Sequence, residues 1–551
     1  MNSDFTISSY LVSRLQEVGI KHLFGVPGDY VLDFLDEVIA SPIKWVGTCN
    51  ELNAGYAADG YARMNGAGAA VVTYGVGGLS ILNAVAGAFA EQVPMIVISG
   101  APASTRRASG AMVHHLISHY DMQLDIYKKI TVDSAILTDP DTAPDVIDRI
   151  IKNCIFRKLP VYLEIPADLA KAPCRKPGDL RMFKTVTSNP DSLKECLTEV
   201  ADRINNAENP LIIAGVELLR QNLGKETLYL VESTEIPFVT MLASKSILPE
   251  LHPQFAGIYQ GGWSRESVRK QVEDSDCLIS LGVWITDLDT GMFSINLENR
   301  KMISAGDGKV SVGNHSYSGI QLQHFINFLL PLIKPRDLKN SHPHEMAPRK
   351  GTFVPEKATI LTATRLYECI NSSLEDDMVM LSEPGDAFCA APEFHIEESD
   401  NFIVQSYYCS IGFCTPAALG VSLARPDKRP FILTGDGAFQ MTAQEISTII
   451  REKRPAILLV INNDGYLIER VLHEDGPYND IQMWNYSKLS EVFAGGDFVI
   501  GKKVTTEEEL DEALKIAAAA KDKLVIIEAV LPNRDYSAGL QRLGNAYRGK
   551  K

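Results

Sequence analysis

The sequence lacks the marks of a nucleic-acid-binding protein or of a membrane protein. Its 53 lysine and arginine residues are outnumbered by 69 aspartate and glutamate residues, which gives a net charge of −16, and no basic cluster stands out that could neutralise phosphates. We therefore expect no nucleic-acid partner. Because no apolar stretch approaches the roughly 18 residues of a membrane-spanning helix, we also expect no membrane span.

Cysteine is sparse and scattered, which argues against a zinc site or a redox motif of the usual spacing. The nine cysteines are odd in number, and no two of them form a Cys-x-x-Cys pair. We interpret them as reduced residues of the core. The first residues, Met-Asn-Ser-Asp-Phe-Thr, lack the basic region and apolar stretch of a signal peptide. We therefore expect a cytoplasmic protein.

The length and the patterning predict three α/β domains. A chain of 551 residues has room for about three or four domains, and 45% hydrophobic with 22% charged residues are ordinary globular values. Apolar strands alternate with helices in three blocks, which polar linkers at 174–190 and 334–355 separate. We predict three doubly wound parallel-sheet domains, at residues 1–180, 190–335 and 356–551.

The most informative feature is the combination of Gly435-Asp436-Gly437 with Asn462-Asn463. The apolar runs 429–435 and 456–461 predict buried strands, and a Thr442-x-x-Glu445 capping box predicts the start of a helix between them. A strand–helix–strand unit of this length is a right-handed parallel crossover, so both strands end at the same edge of a sheet. Ligands of open α/β sheets bind at that edge.

Together the two motifs predict a site for Mg²⁺ and a diphosphate group. Asp436 and Asn463 should lie side by side as oxygen donors, and with the Gly465 carbonyl they suit Mg²⁺, which keeps its other positions for phosphate and water. Glycines at 435, 437 and 465 allow the backbone to approach an anion closely. Either motif alone is more typical of an ordinary loop. Their joint placement after two consecutive strands indicates a site.

These motifs, with the run Asn50-Glu-Leu-Asn-Ala-Gly-Tyr-Ala-Ala-Asp-Gly-Tyr-Ala-Arg63, resemble the thiamine diphosphate-dependent 2-oxo acid decarboxylases of the pyruvate/indolepyruvate decarboxylase group. The resemblance extends over essentially the full length. It implies pyrimidine-binding, central and diphosphate-binding domains, thiamine diphosphate and Mg²⁺ as cofactors, and decarboxylation of a 2-oxo acid to an aldehyde by the thiamine ylide mechanism. It also implies a homodimer with sites shared between subunits, and usually a homotetramer.

The resemblance assigns the acid–base residues of the N-terminal half. Glu51 matches the glutamate that hydrogen-bonds the aminopyrimidine ring and favours the tautomer that removes the thiazolium C2 proton. Judged by its position alone, Glu51 is better explained as a carboxylate that favours a helix start through the dipole. Asp29 and His115 match a proton relay that acts after CO2 is lost. His114 matches a residue that positions the substrate carboxylate or the intermediate.

The resemblance also assigns residues of the C-terminal half. Glu469, one helical turn beyond Gly465, matches a glutamate that acts on the carboxylate-bearing adduct, although spacing alone also fits a surface charge. Ile411 matches the apolar wedge that bends the cofactor, and a core isoleucine fits the same position. The carbonyl of Cys409 would accept from the cofactor amino group. The other predicted cofactor contacts are Asp386, Gly437, Ala438, Asn463, Gly465, Tyr466, Leu467 and Ile468.

The substrate preference depends on a few predicted pocket residues. Leu288 and Phe388 stand where pyruvate-specific enzymes carry bulkier aromatic residues, whereas Ile468 keeps the space near the reacting carbon small. We expect aromatic, branched or longer-chain 2-oxo acids, such as indolepyruvate, phenylpyruvate or 2-oxoisocaproate. A pyruvate decarboxylase is the alternative. An acetolactate synthase, a benzoylformate decarboxylase or a non-catalytic homologue fits less well, because the chain keeps the complete set of acid–base and metal-binding residues.

Overall fold

The computed structural model describes residues 5–180, 186–336 and 351–548. Three β-sheets, one in each predicted domain, form the framework of the chain. In this part of the chain, no helix is both long and apolar enough to cross a membrane. Each of the two predicted linkers lies partly outside the described residues, at 181–185 and 337–350.

The N-terminal domain is a parallel sheet covered by helices. Its strands are β1 (His22–Gly25), β2 (Lys44–Gly47), β3 (Gly68–Val72), β4 (Met95–Ala101), β5 (Asp133–Ile136) and β6 (Val161–Pro166). Its helices are α1 (Ile7–Glu17), α2 (Leu32–Ile39), α3 (Glu51–Asn65), α4 (Val76–Ser80), α5 (Leu82–Ala90), α6 (Ser104–Ser109), α7 (Met122–Tyr127), α8 (Ala143–Arg157) and α9 (Ala167–Ala170). The six strands pair in the order β2-β1-β3-β4-β6-β5.

The central domain has a mixed sheet. Its strands are β7 (Pro210–Ala214), β8 (Phe238–Thr240), β9 (Phe255–Ile258), β10 (Cys277–Leu281), β11 (Met302–Gly306), β12 (Lys309–Val312) and β13 (His315–Ser318). Its helices are α10 (Pro190–Asn206), α11 (Val216–Arg220), α12 (Gly224–Thr234), α13 (Glu266–Glu273) and α14 (Leu322–Leu329). The order is β13-β12-β11-β10-β7-β8-β9, and β11, β12 and β13 pair antiparallel.

The C-terminal domain repeats the parallel arrangement. Its strands are β14 (Met378–Ser382), β15 (Phe402–Ile403), β16 (Arg429–Gly435), β17 (Ala456–Asn462), β18 (Val499–Val504) and β19 (Leu524–Val530). Its helices are α15 (Ala363–Ser373), α16 (Asp386–Ala390), α17 (Cys414–Ala424), α18 (Asp436–Gln440), α19 (Ile446–Arg451), α20 (Leu467–Leu472), α21 (Leu489–Val492), α22 (Glu507–Ala519) and α23 (Ala538–Arg548). The order is β15-β14-β16-β17-β19-β18.

The central strands of the parallel sheets are buried along their whole length. Every residue of β4 and of β17 is buried. Helices cover both faces of such sheets, which is why these strands are continuous apolar runs without alternation. The predicted α/β fold class with three parallel-sheet domains is confirmed. The antiparallel strands β12 and β13, which extend the central sheet beyond β11, were not predicted from the apolar pattern.

Helices α3 and α17 join the N-terminal and C-terminal domains through a very close crossing. A Cβ atom on Gly60 would lie 2.3 Å from the Ala417 carbonyl oxygen, and one on Gly420 would lie 1.9 Å from the Ala57 carbonyl oxygen. Glycine is therefore required at both positions, because any side chain would force the two backbones apart. The crossing fixes the start of α3 relative to the C-terminal sheet.

The predicted capping box after the Gly435-Asp436-Gly437 motif is wrong. Thr442 makes no capping hydrogen bond, and its hydroxyl donates instead to the Gly412 carbonyl at 2.7 Å. Glu445 is fully buried and accepts from the Cys49 backbone N–H at 3.1 Å and from Asn53 Nδ2 at 2.7 Å. A local motif was thus overridden by contacts between domains. Both side chains hold loops of the candidate site in place.

Candidate active site

A cavity lies where β14, β16 and β17 end, at the carboxyl edge of the C-terminal sheet. Its volume is about 100 Å³. The predicted residues that line it are Asp386, Ile411, Asp436, Gly437, Ala438, Asn463, Gly465, Tyr466, Leu467, Ile468 and Glu469. The parallel pairing of β16 with β17 places the residues that follow the two strands next to each other, as the crossover argument predicts.

Asp436 is the organising carboxylate of this cavity. Only 1% of it is exposed, and it accepts hydrogen bonds from the backbone N–H groups of Gly437, at 2.7 Å, and of Asn463 and Gly465, both at 3.1 Å. Burial raises the pKa of Asp436 to about 6, although these three N–H groups act in the opposite direction. The carboxylate therefore joins both loops of the predicted metal motif.

The cavity fits a diphosphate bound through Mg²⁺. A Cβ atom on Gly435 or on Gly385 would meet no other atom within 4 Å, so bare backbone faces open space there. The oxygens of Asp436 and Asn463 are hard donors of the kind Mg²⁺ prefers. Gly437 has a different function, because a Cβ atom there would lie 2.5 Å from the Tyr466 ring.

Glu383 shapes the segment that carries Cys409 and Ile411, and its function was not predicted. Its buried carboxylate accepts from the backbone N–H groups of Gly412 at 2.9 Å and of Phe413 and Cys414 at 3.1 Å. Burial raises the pKa of Glu383 to about 7. The sequence did contain a sign of this function, because Glu383 is an acidic residue directly after a buried strand. Asp386, three residues later, drew the prediction instead.

Asp386 lies at the cavity, but its carboxylate is already engaged. It accepts from the Tyr367 hydroxyl at 2.8 Å and from the Ser537 hydroxyl at 2.6 Å. These bonds join α15 and α16 to the segment that precedes α23. The prediction that Asp386 contacts the cofactor stays a prediction.

The N-terminal domain places Glu51 and three other predicted residues at the corresponding edge of its own sheet. Glu51 is the first residue of α3, which follows β2, and Asn50 caps that helix by accepting from Asn53 N–H at 2.8 Å. Glu51 is half-buried, with Oε1 3.3 Å from the position of a Cβ atom on Gly77. Gly77, in the helix α4 that follows β3, thus leaves room for this carboxylate.

Asp29, His114 and His115 form a compact cluster at the same edge. His114 Nε2 lies 2.7 Å from Asp29 Oδ2, so His114 and not His115 is the hydrogen-bonded partner of Asp29 in this structure. His115 Nδ1 is buried and has no hydrogen-bond partner among the described residues. The ring of Tyr30 stacks on His114, with the centroids 4.7 Å apart. The three predicted acid–base groups therefore belong to one constellation.

The structure of the single chain does not bring the two halves of the predicted site together in one cavity. The cavity around Asp436 is lined by residues of 384–469 alone, whereas Glu51 and Asp29 lie in the N-terminal domain. Cys409, with a φ of +54°, and Ile411 belong to the C-terminal half.

Two of the three predicted pocket residues lie away from the cavity. Ile468 lines it. Phe388 is buried against Trp263, with ring centroids 5.9 Å apart, and Leu288 packs half-buried against the core of the central and C-terminal domains. Neither is in the cavity lining. Their assignment to the substrate pocket stays a prediction.

The chain matches all three domains of the thiamine pyrophosphate (diphosphate) enzymes. Residues 5–125 match the N-terminal TPP binding domain, residues 197–327 the central domain, and residues 386–529 the C-terminal TPP binding domain. These ranges contain the two sheet edges described above. Their order along the chain is the one that the family resemblance implies.

Similar proteins span nearly the whole chain. The alpha-keto-acid decarboxylase of Mycobacterium tuberculosis strain H37Rv is 36% identical over 533 residues, which cover 96% of this chain and 94% of the relative. That of Mycobacterium leprae is 35% identical over 544 residues, with 98% and 95% covered. The chain therefore belongs to the thiamine diphosphate-dependent 2-oxo acid decarboxylase family.

Proposed function

We propose that the protein catalyses the non-oxidative decarboxylation of 2-oxo acids to aldehydes and CO2, with thiamine diphosphate bound through Mg²⁺. The observation that carries this is the cavity at the ends of β16 and β17, where buried Asp436 joins two glycine loops beside bare backbone. We also propose a cytoplasmic location. None of the nine cysteines, all of which lie among the described residues, forms a disulfide, as is usual for proteins of a reducing compartment.

Asp436, Asn463 and the Gly465 carbonyl would hold the metal ion, and the backbone of the cavity would hold the diphosphate. When bound, thiamine diphosphate supplies a carbon nucleophile and an electron sink for the carbanion left by CO2. Glu51 would hold a proton at the aminopyrimidine ring. Ile411 would press on the cofactor from the cavity wall, and the Cys409 carbonyl would accept a hydrogen bond from its amino group.

We propose that each complete site is shared between two subunits of a homodimer, and that dimers pair to a homotetramer. The support is that Glu51 and the cavity around Asp436 lie in different domains, and no residue of the N-terminal domain lines that cavity. The cavity volume of about 100 Å³ is also small beside the roughly 300 to 1,000 Å³ of ligand pockets. Residues of another subunit are therefore needed to enclose the remainder of the cofactor.

The Asp29–His114–His115 cluster would move protons after CO2 is lost. A proton can pass along the 2.7 Å hydrogen bond between His114 Nε2 and Asp29 Oδ2. His115 Nδ1 is buried and has no partner in the described part of the chain, so no other residue competes for its proton or lone pair. Glu469, exposed on α20 at the cavity rim, would act on the substrate carboxylate from the other side.

His115→Ala and Asp29→Asn are expected to release CO2 in the first turnover but to delay the aldehyde, by about 10²- to 10⁴-fold. The reason is that aldehyde release needs a proton to be delivered and another to be removed, whereas loss of CO2 needs neither. Rapid quench with separate assays of CO2 and aldehyde measures both. His119→Ala is the matched control, because His119 is an exposed histidine of the same segment outside the cluster. Blocked CO2 release in His115→Ala would place these residues at an earlier step.

Aromatic and branched 2-oxo acids are expected to rival or exceed pyruvate in kcat/KM. Each additional buried methylene is worth about 0.8 kcal/mol, about a fourfold preference. An aldehyde-reductase coupled assay compares pyruvate, 2-oxoisocaproate and phenylpyruvate with both cofactors present. Ile468→Ala should shift the ratio further toward phenylpyruvate, whereas Leu472→Ala, half-buried on the same helix but outside the cavity lining, should not.

The same assay separates the competing functions. No aldehyde from any of these substrates contradicts the decarboxylase function. An acetolactate or acyloin product in its place would favour a carboligase. A clear preference for pyruvate would reject the wide-pocket prediction and leave the decarboxylase function intact.

A further inference from the structure

The Asp29–His114–His115 cluster has the composition of a transition-metal site. One ligand atom from each of the three side chains lies within 4.8 Å of the other two. Zinc binds imidazole nitrogens and carboxylate oxygens at about 2.0–2.2 Å, which puts tetrahedral ligands about 3.4 Å apart. Asp29 and His114 are roughly half exposed, at 54% and 57%, so small side-chain rotations can bring the three ligand atoms to this spacing.

The backbone at His115 makes this convergence possible. Successive side chains of an extended chain point to opposite sides, yet both imidazoles here face Asp29. A φ of +66° at His115 turns the chain, and the two rings meet nearly perpendicular with centroids 4.7 Å apart. The His115 carbonyl packs against Gly75, where a Cβ atom would lie 2.3 Å from it. The turn is therefore held by its surroundings.

The neighbourhood also orients the rings as metal ligands require. Tyr30 stacks on the His114 ring, and its hydroxyl lies 3.3 Å from His114 Nδ1, which leaves Nε2 directed at Asp29. Such contacts to the second ring nitrogen fix the orientation of metal-binding histidines. His115 Nδ1 has no partner in the described part of the chain that a metal ion would have to displace.

We propose that Asp29, His114 and His115 form an inhibitory binding site for Zn²⁺ or a similar imidazole-preferring ion, separate from the Mg²⁺ site at Asp436. Ligand chemistry distinguishes the two sites, because Mg²⁺ favours oxygen donors and zinc favours imidazole. A bound ion would occupy the one basic lone pair of each imidazole and an oxygen of the carboxylate, so the imidazoles could no longer accept a proton and the relay would stop. Binding stands on this geometry alone, whereas inhibition rests on the proposed function.

The test uses the holoenzyme with saturating thiamine diphosphate and Mg²⁺. Calorimetric titration with Zn²⁺ should show one ion per chain, and Co²⁺ as a probe should give the visible absorption of an imidazole-ligated ion. Asp29→Asn and His114→Gln should each weaken Zn²⁺ binding by at least about 100-fold. His119→Gln, Cys49→Ser and Asp436→Asn should leave it unchanged, since they remove a nearby histidine, an exposed thiol and the Mg²⁺ ligand.

Absence of Zn²⁺ binding overturns the proposal, as does binding that Cys49→Ser or Asp436→Asn abolishes. For inhibition, Zn²⁺ should lower kcat of the wild-type enzyme in proportion to site occupancy, and a zinc-selective chelator in excess Mg²⁺ should restore it. Full activity with the site occupied would refute the inhibitory role. An enzyme without 2-oxo acid decarboxylase activity would contradict the proposed function instead, and the titration would still decide the binding.

Discussion

Replacing Glu51 with glutamine is expected to lower kcat by about 10²- to 10⁴-fold, the contribution of a positioned acid or base. Glutamine has the same shape, but it cannot supply the proton that activates the aminopyrimidine ring. Cofactor binding should persist, because Asp436 and Asn463 lie in another domain. Hydrogen–deuterium exchange at the thiazolium C2 of the bound cofactor measures the affected step directly.

The competing explanation for Glu51 is that it only stabilises the start of α3, an effect of about 0.3–1 kcal/mol. Glu266 is the matched control, since it is likewise the first residue of its helix, α13, and is exposed. Glu51→Gln and Glu266→Gln should change thermal stability alike, and only the former should slow exchange. A near-normal exchange rate in Glu51→Gln would refute the catalytic assignment.

Asp436→Asn is expected to weaken binding of the Mg²⁺–thiamine diphosphate complex by at least about 100-fold. The metal loses a charged ligand, and the asparagine Nδ2 cannot accept from the backbone N–H groups that the carboxylate now serves. The unsatisfied N–H also costs about 1–3 kcal/mol of folding stability. Equilibrium titration of the apoenzyme with the cofactor at fixed Mg²⁺ measures the affinity, and calorimetric melting measures the stability.

Asp464→Asn provides the control for this loss. Asp464 follows Asn463 directly, is exposed and has a φ of +67°, a conformation that asparagine tolerates well. Its cofactor affinity should equal that of the wild type. Wild-type affinity in Asp436→Asn would show that Asp436 is not a metal ligand and that the cavity beside it is not the cofactor site.

The part of the site that follows from strand order was predictable from the sequence. Asp436 and Asn463 each come directly after a continuous apolar run, and the handedness of the crossover then determines that they meet. No distant contact is needed for that inference. The same reasoning identified the three α/β domains with predominantly parallel sheets, because a strand buried on both faces is a continuous apolar run.

Contacts between residues far apart in the sequence were not predictable in this way. Thr442 and Glu445 have the spacing of a capping box, but Glu445 bonds to Cys49 and Asn53, almost 400 positions earlier in the chain. Glu383 and Asp386 follow the same strand, and only the packing shows that one caps a helix while the other binds Ser537. The pairing of His114 with Asp29 likewise depends on a backbone turn that residue types do not reveal.

The crossing of α3 and α17 constrains how this protein can be recombined with its relatives. The two backbones are in direct contact at four small residues, Ala57, Gly60, Ala417 and Gly420. A side-chain change in one helix is therefore tolerated only if the other helix changes to match it. A chimaera that exchanges the N-terminal domain alone would inherit one helix without its counterpart. When domains are exchanged or libraries are designed for directed evolution, these two distant segments should therefore be taken from the same parent.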